Sequence, residues 1–306
     1  MAVKVLERRK TRRRSRLRTR QNIEGWLFIA PVVFGILAFQ FFPIVVSMYA
    51  SLTQWDGMNP PQFTGLNNYV TLFTSDPFFR LTLRNTILFT IGNIPFTIGL
   101  ALCLALLCSR KMRGIALFRT AYFIPYITSV VSISLVWYWI YQPQGGVLNG
   151  LLSLVGIHGP AWLSDVQWAL PAVILVSVWQ SVGYPMVILL AGLQGVPETL
   201  HEAAKLDGAS SWNRFWNVTF PLLTPTLFFL TITQFITSFQ VFGIVLVMTQ
   251  GGPANATNVY IYYLYQNAFS FGKMGYASAM AWILFVIIVI VTMVQWKLQK
   301  RWVFYG

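Results

Sequence analysis

The chain has 306 residues, of which 56% are hydrophobic and only 10% are charged. A soluble domain ordinarily carries about 25% charged residues, so this composition argues against a soluble globular protein. Several uncharged apolar stretches are longer than the ~20 residues that are needed to cross a bilayer. We therefore expect an all-α integral membrane protein.

The net charge of +14 is concentrated at the start of the chain. Ten of the 22 Lys and Arg residues lie before Gln21, directly ahead of the first apolar stretch. A basic segment beside a membrane span is typical of a topology signal that faces anionic lipid. We therefore interpret residues 1–25 as a basic cytoplasmic tail, and we expect no nucleic-acid partner.

Six spans are predicted within a membrane domain of residues 26–296, and the segments between them divide the basic residues unevenly. With the N-terminus inside, 19 Lys and Arg residues lie on the inner side and only Arg80, Arg84 and Lys273 on the outer side. The positive-inside rule then places both termini in the cytoplasm, with residues 297–306 as a short C-terminal tail. The predicted spans are 26–49, 85–108, 119–141, 167–193, 220–248 and 276–296.

The spans contain no Asp, Glu, Lys, Arg or His beyond Arg119, which marks the cytoplasmic edge of the third span. Ion-coupled carriers usually need such a residue, and a membrane enzyme needs a base for its nucleophile. Neither His158 nor His201 is placed to act as such a base. The sequence HEAAK, which begins at His201, lacks the second His of a zinc-binding helix. A GxxxxGK phosphate-binding loop is also missing, because residue 267 is Asn. We expect no enzymatic activity, cofactor or metal site in this chain. Energy for uphill transport would come from a partner. A passive channel is the alternative function that these observations leave.

A compact polar segment, HEAAKLDGASSWNRFWNVTFPLLTP, separates the fourth and fifth spans at residues 201–225. Pro197 can open a helix that ends at Asp207–Gly208, where glycine allows a left-handed turn. Ser210 or Ser211 can cap a second short helix, and two prolines then redirect the chain into the fifth span. Small residues at such a tip allow close approach of another protein. An ordinary helical connector is the alternative.

This segment resembles the EAA loop of ABC importer permeases. The family pattern is EAA, three residues, Gly, nine residues, then a hydrophobe, one residue and a hydrophobe–Pro pair. The chain keeps every spacing, with Val218 and Phe220 standing where Ile and Leu are usual. The resemblance implies a type I importer permease fold and a coupling loop at residues 194–219 that docks on a cytoplasmic ATPase. The coupling residues that it implies are Glu202, Ala203, Ala204, Asp207, Gly208 and Pro221.

Three further stretches are similar to the carbohydrate-uptake members of that family: FFPIVVSMYASL, RTAYFIPYITSVV and VFGIVLVMTQGGPANATNVYIYYLYQNAF. The resemblance therefore implies import of a sugar, a disaccharide or an oligosaccharide, across a bacterial plasma membrane. It also implies a second permease subunit, two ATPase subunits that hold ATP and Mg, and an extracytoplasmic sugar-binding protein.

Uncharged polar residues recur on one face of each of two spans. The fifth span carries Gln234, Thr237, Ser238 and Val241 at i, i+3, i+4 and i+7, and the fourth carries Ser177, Ser181 and Tyr184. Such groups suit a neutral polyol such as a sugar, and the resemblance implies sugar contact near these positions. Hydrogen bonding between helices explains the same residues equally well.

Two other functions stay open. A permease of the same superfamily could carry another solute, such as glycerol 3-phosphate. A phosphorylated solute favours basic groups along its path, and the interiors of the spans offer none. The second is a free-standing channel or carrier, against which the docking loop argues.

Overall fold

In a computed structural model the described residues are Asn22, 24–109 and 113–304, so most of the basic tail and the basic pair Arg110 and Lys111 lie outside them. The two strands, β1 (Thr53–Gln54) and β2 (Gln62–Phe63), pair in an antiparallel hairpin on the predicted outer side. All other regular structure in the described ranges is helical. The helices are α1 (Glu24–Ser51), α2 (Asn67–Thr74), α3 (Pro77–Cys108), α4 (Ile115–Ile127), α5 (Val130–Ile140), α6 (Val147–Leu154), α7 (Ala169–Ser181), α8 (Gly183–Gln194), α9 (Glu198–Leu206), α10 (Ser211–Arg214), α11 (Phe220–Phe239), α12 (Gly243–Met248), α13 (Tyr260–Tyr265) and α14 (Met274–Leu298).

Four stretches are long and apolar enough to cross a membrane by themselves: Glu24–Ser51, Pro77–Cys108, Ser211–Met248 and Met274–Arg301. Two helix pairs, α4 with α5 and α7 with α8, meet the same criterion together but bend by 99° and 46° at short breaks. Counting each bent pair as one crossing gives six spans, in agreement with the prediction from sequence. The third and fourth spans are therefore broken helices rather than continuous ones.

The second span starts at Pro77, eight residues earlier than predicted. Asp76 sets this start, because its side chain accepts hydrogen bonds from two backbone amides of the first turn, at 2.9 and 3.2 Å. Proline fits the next position, where its missing N–H would be unpaired in any case. The predicted outer loop therefore ends at Asp76 and not at residue 84, and Arg80 and Arg84 lie in the first turns of the helix.

The breaks in the third and fourth spans lie against each other. In the third span, α4 ends where Thr128 adopts an extended backbone, and the Thr128 hydroxyl donates to the carbonyl of Ile124 at 2.8 Å. In the fourth span, α8 begins at Gly183. A Cβ atom at Gly183 would lie 2.4 Å from the carbonyl oxygen of Tyr122 in α4. Only glycine allows the two backbones to approach this closely.

The fifth span starts at Ser211, which corrects the prediction of a separate short helix redirected by prolines. α10 continues through a π-helical turn, Phe215–Thr219, directly into α11. Pro225 has no N–H, so the carbonyl of Pro221 loses its usual partner. The hydroxyl of Thr224 donates to that carbonyl at 2.6 Å. The helix therefore continues through both prolines without a break.

The C-terminal segment folds back onto the base of the fifth span. After α14 and a 3-10 turn at Gln299–Arg301, the ring of Trp302 contacts the ring of Phe228, with centroids 5.9 Å apart. The amide of Phe304 donates to the Thr224 hydroxyl at 2.8 Å. Thr224 is 3% exposed, so one buried hydroxyl joins the C-terminal segment to the proline-containing turn.

Buried apolar side chains form three clusters. One joins α5, α7 and α12, a second joins α3, α8 and α11, and a third joins α11, α13 and α14. By contrast, the membrane window of α1 is 0% buried, and Phe28 is 85% exposed. The first span thus presents an apolar surface to lipid or to another chain. The fully buried cluster members include Tyr141, Val176, Val245, Met186, Leu189, Leu223, Tyr260 and Met280.

Candidate coupling loop and substrate path

The predicted coupling residues lie on α9 and on the turn that ends it. α9 begins after Pro197, with Glu198 in its first turn and Lys205 in its last, so both charges are placed favourably relative to the helix dipole. Leu206 at its end is 90% exposed. The helix therefore presents an open surface of small and polar residues with two exposed leucines, Leu200 and Leu206. The predicted coupling residues Glu202, Ala203, Asp207 and Gly208 are exposed, as is Lys205, and Ala204 is half-buried.

The turn after α9 is a Schellman motif. The amide of Gly208 donates to the carbonyl of Lys205 at 3.0 Å, and the amide of Ala209 donates to the carbonyl of Ala204 at 2.9 Å. Gly208 has a φ of +76°, in the left-handed region that favours glycine. A Cβ atom there would meet no atom within 4 Å. Backbone conformation, and not lack of space, therefore restricts this position within the described chain. The predicted glycine turn is confirmed, and the coupling role stays a prediction.

The second half of the loop is joined rigidly to the fifth span. Ser210, one of the two predicted caps, accepts a hydrogen bond from the amide of Asn213 at 3.2 Å. The ring of Trp216 contacts the rings of Trp212 and Phe220, with centroids 5.6 and 4.9 Å away. Pro221 lies in the first turn of α11. Continuous helix therefore connects the loop to the fifth span.

The polar residues predicted to line the substrate path divide into a buried group and an accessible group. Gln234 and Ser238 are buried. The Ser238 hydroxyl donates to the side-chain carbonyl of Asn93 at 3.1 Å, and the Asn93 amide donates to the Ser177 hydroxyl at 2.9 Å. Asn93 is itself 2% exposed, in the middle of α3. Ser177 and Ser238 thus take part in hydrogen bonding between helices, one of the two interpretations of these residues.

The accessible group lies beside the breaks in the fourth and fifth spans. Ser181, Tyr184 and Val241 are half-buried and Thr237 is exposed. The ring of Tyr184 stacks on that of Tyr126 at the end of α4, with centroids 5.2 Å apart and planes 20° apart. The hydroxyls of Ser181 and Thr237 donate to carbonyls of their own helices and keep lone pairs for a ligand. These four residues are the predicted path residues that are not buried within the described chain.

Sequence reasoning missed Asn93 and Tyr126. Asn93 is a lone amide within the apolar stretch FTIGNIPFT, and a polar side chain in a membrane helix commonly bonds to a neighbouring helix. Tyr126 follows Pro125 and precedes Thr128, and this combination marks the end of α4. Both signals were available but lay inside segments interpreted as uniform spans.

The chemistry available at the breaks is neutral hydrogen bonding beside aromatic rings. Among Asn22, 24–109 and 113–304, no three side chains of His, Cys, Asp or Glu are grouped so that they could hold a metal ion.

Residues 97–303 match the family described as binding-protein-dependent transport system inner membrane component. The lactose transport system permease protein LacF of Rhizobium radiobacter is 36% identical over 296 residues, which cover 95% of this chain and 99% of that protein. The sn-glycerol-3-phosphate transport system permease protein UgpA of Agrobacterium fabrum is 32% identical over 287 residues, which cover 93% of this chain and 97% of that protein.

A solved structure has the same fold. It is the crystal structure of a bacterial alginate ABC transporter in complex with an alginate pentasaccharide-bound periplasmic protein. The TM-score is 0.82 at 21% identity, over 92% of this chain and 96% of the chain in that structure. The expected importer permease fold is confirmed. The chain belongs to the family of inner membrane components of binding-protein-dependent transport systems.

Proposed function

We propose that this chain is the permease subunit of an ATP-driven importer that carries a sugar, either a disaccharide or an oligosaccharide. The observation that carries the proposal is the exposed helix α9 with its Schellman turn at Gly208, in a chain that keeps the whole EAA spacing. The sequence has no phosphate-binding loop, so ATP and Mg are bound and ATP is hydrolysed in a partner subunit. The chain itself supplies the path and the docking surface.

The proposed complex contains a second permease subunit, two cytoplasmic ATPase subunits and an extracytoplasmic sugar-binding protein in a bacterial plasma membrane. Three observations support it. The most apolar window of α1 is 0% buried within the described chain, which suits a neighbouring permease. The surface of α9 suits an ATPase. The family itself is defined by binding-protein-dependent transport.

A sugar suits the path because the accessible groups there are neutral. Ser181 and Thr237 offer hydroxyl groups, and Tyr184 with Tyr126 offers a stacked aromatic pair. The similar lactose and glycerol-phosphate permeases show that the family includes both neutral and phosphorylated solutes. A phosphate group would need a basic side chain to offset its charge, and α7, α8, α11 and α12 carry none. The neutral solute is therefore favoured.

Coupling is proposed to work by rigid-body movement. When the ATPase subunits close on ATP, they displace α9, and the ring contacts of Trp212, Trp216 and Phe220 pass that movement to the fifth span. The stretch from Ser211 to Ser238 extends about 40 Å at 1.5 Å per residue, enough to reach from the loop to the buried bond with Asn93. Rotation of the span then changes which side of the membrane reaches the path.

The test is co-purification of the full chain from its native membrane in mild detergent, comparing Gly208→Asp with Gly156→Asp. Gly156 is a matched control, because its φ of +75° and the open space around it equal those of Gly208, while it lies in a predicted outer loop. We expect the ATPase to co-purify with the wild-type chain and with Gly156→Asp, and to be lost with Gly208→Asp. Equal retention by both variants would refute the docking role of Gly208, and recovery of the wild-type chain without any ATPase would favour the free-standing channel.

A further inference from the structure

One side of α9 faces a groove of about 860 Å³ that lies between the loop and the second span. Its first wall is the end of α3, and its second wall is α10 with the π-helical turn. The lining residues from α3 are Gly99, Leu102, Cys103, Leu106 and Ser109; those from α9 are Glu198, His201 and Lys205; those from the second wall are Ser211, Trp212, Arg214, Phe215, Trp216, Thr219 and Phe220.

The first wall is the last part of α3, which extends from the end of this membrane helix towards the interior of the bilayer. Gly99 and Ser109 are ten residues apart, so this wall is about 15 Å long at 1.5 Å per residue. That length is half of the ~30 Å hydrocarbon core, which means one leaflet. Between its two ends the wall is formed by Leu102, Cys103 and Leu106, without a charge. An apolar chain that lies in one leaflet matches this wall in length and in character.

The second wall runs antiparallel to the first and places aromatic rings along it. Trp212 is 68% exposed and Trp216 is 44% exposed, although both carry large apolar rings. Phe220 continues this row towards the membrane interior. Tryptophan is enriched at the level of lipid headgroups, where an amphipathic ring contacts both acyl chains and polar groups. The groove therefore changes from polar to apolar along its length, as a lipid changes from headgroup to acyl chain.

The polar end of the groove carries more positive than negative charge. Lys205 and Arg214 are cationic, and Glu198 is the only acid among the lining residues. Arg214 donates from Nη2 to the Ser211 hydroxyl at 3.0 Å, while its Nε is buried and has no acceptor within the described chain. Within the same ranges, no hydrogen bond or ion pair engages the Lys205 ammonium group. The Lys205 ammonium group and the Arg214 guanidinium group, both in the lining of the groove, thus keep donors that no group of the described chain satisfies.

We infer that this groove binds one anionic phospholipid, with its phosphate at Lys205 and Arg214 and an acyl chain along α3. A water-soluble ATPase cannot follow the Gly99–Leu106 wall into the bilayer, and the basic tail has the same charge sign as the rim. The orientation of the groove towards the cytoplasm rests on the proposed function. A bound lipid would fix the position of α9 relative to the second span. The mobility of the coupling helix would therefore depend on the lipid composition of the membrane.

The test is native mass spectrometry of the purified full chain, titrated with phosphatidylglycerol or with phosphatidylcholine of the same acyl chains. We expect one phosphatidylglycerol to be retained in preference to phosphatidylcholine. The double variant Lys205→Gln/Arg214→Gln should weaken its binding about 25-fold, since each basic side chain near an anionic lipid contributes about a factor of five. Cys103→Trp, which fills the groove and leaves the charges in place, should also release the lipid.

The matched control is Lys300→Gln/Arg301→Gln, which removes the same charge outside the groove and should leave binding unchanged. Equal loss in this control, or undiminished binding to Lys205→Gln/Arg214→Gln, would overturn the inference. Displacement of the lipid by inorganic phosphate, with Cys103→Trp binding normally, would overturn it in favour of a free-anion site. The measurement uses the chain without its ATPase, so its failure is distinguishable from failure of the coupling proposal at Gly208.

Discussion

The side-chain amide of Asn93 donates a hydrogen bond to the hydroxyl of Ser177 at 2.9 Å, and its carbonyl oxygen accepts one from Ser238 at 3.1 Å. One buried residue of the second span thereby holds the fourth and fifth spans at the same point. Both of these spans also carry breaks close to Ser181 and Val241, where a solute can reach them. The bonds made by Asn93 therefore set the spacing of the helices that would border the path.

Replacing Asn93 with Ala should lower the free energy of unfolding in detergent by about 1–2 kcal/mol, because hydrogen bonds between membrane helices average ~0.6 kcal/mol each and a small cavity is left. A double-mutant cycle with Ser238→Ala should give a coupling free energy of about 0.5–1.5 kcal/mol. Thr120 is exposed and bonds only to its own helix, so a cycle of Asn93→Ala with Thr120→Ala should give none. Zero coupling in the Ser238 cycle would contradict the bond.

Gly183→Ala should destabilise the chain by about 1–3 kcal/mol, because the new methyl group would lie 2.4 Å from a backbone oxygen that cannot rotate away. Gly99→Ala is the matched substitution inside another span, where a Cβ meets nothing within 4 Å, and it should be neutral or slightly stabilising. Thermal unfolding in detergent compares the two. A Gly183→Ala chain as stable as Gly99→Ala would show that the two broken spans do not touch as described.

Asp76→Ala should destabilise the outer side by about 3 kcal/mol. The carboxylate caps α3 and accepts hydrogen bonds from the hydroxyls of Tyr263 at 2.8 Å and Tyr276 at 2.5 Å, so one substitution removes a cap and two charge-assisted bonds. Asp76→Asn keeps the cap and should cost less. Asp165→Ala is the control, because within the described residues that half-buried side chain accepts a single local hydrogen bond, from the amide of Gln167. Equal losses at Asp76 and Asp165 would exclude a bridging role for Asp76.

Alkaline pH should weaken the same contact. Burial, together with the hydrogen bond to Asp76 and its negative charge, raises the pKa of Tyr263 to about 12 from its usual value near 10. The neutral phenol is therefore favoured in the folded state, so its contribution is complete below about pH 10 and is lost as pH rises towards 12. The unfolding midpoint should fall less steeply over this window in Tyr263→Phe than in the wild type. Parallel pH profiles would rule out the shift.

Thr224→Val should loosen the C-terminal segment and destabilise the fifth span by about 1–2 kcal/mol, because the Pro221 carbonyl and the Phe304 amide both lose a buried partner. Thr224→Ser restores the hydroxyl and should restore stability. Limited carboxypeptidase digestion should shorten Thr224→Val faster than either other form. Equal digestion of all three forms would mean that the segment is not held by this hydroxyl.

The number of spans and the glycine turn could be predicted from sequence because both follow from local rules. A run of apolar residues long enough to cross the bilayer is visible without knowledge of the fold, as in 26–49 and 276–296. The turn at Gly208 follows from a polar helix that ends in Asp-Gly. The start of α3 was also within reach, because Asp76-Pro77 is a recognisable helix beginning, but the charges at Arg80 and Arg84 pointed to a loop.

The breaks and the polar contacts could not be derived in the same way, because they depend on which helices meet. Gly183 looks like any glycine in an apolar stretch until Tyr122 is known to lie beside it. Ser177 and Ser238 could serve a solute or another helix, and only the position of Asn93 separates these interpretations. Likewise, Pro221 and Pro225 suggested a change of direction, since nothing in their spacing showed that Thr224 would satisfy the freed carbonyl.

The docked C-terminal segment offers a site for a fluorescent label that reports movement of the fifth span during transport. Since Phe304 is bonded to the base of the fifth span, a fluorophore on a cysteine introduced at exposed Arg301 would follow that span while itself remaining in water. A second label near Glu202 would complete a pair whose energy transfer reports displacement of the loop during each turnover. Cys103 is exposed and would first be replaced, whereas Cys108 is buried and can stay.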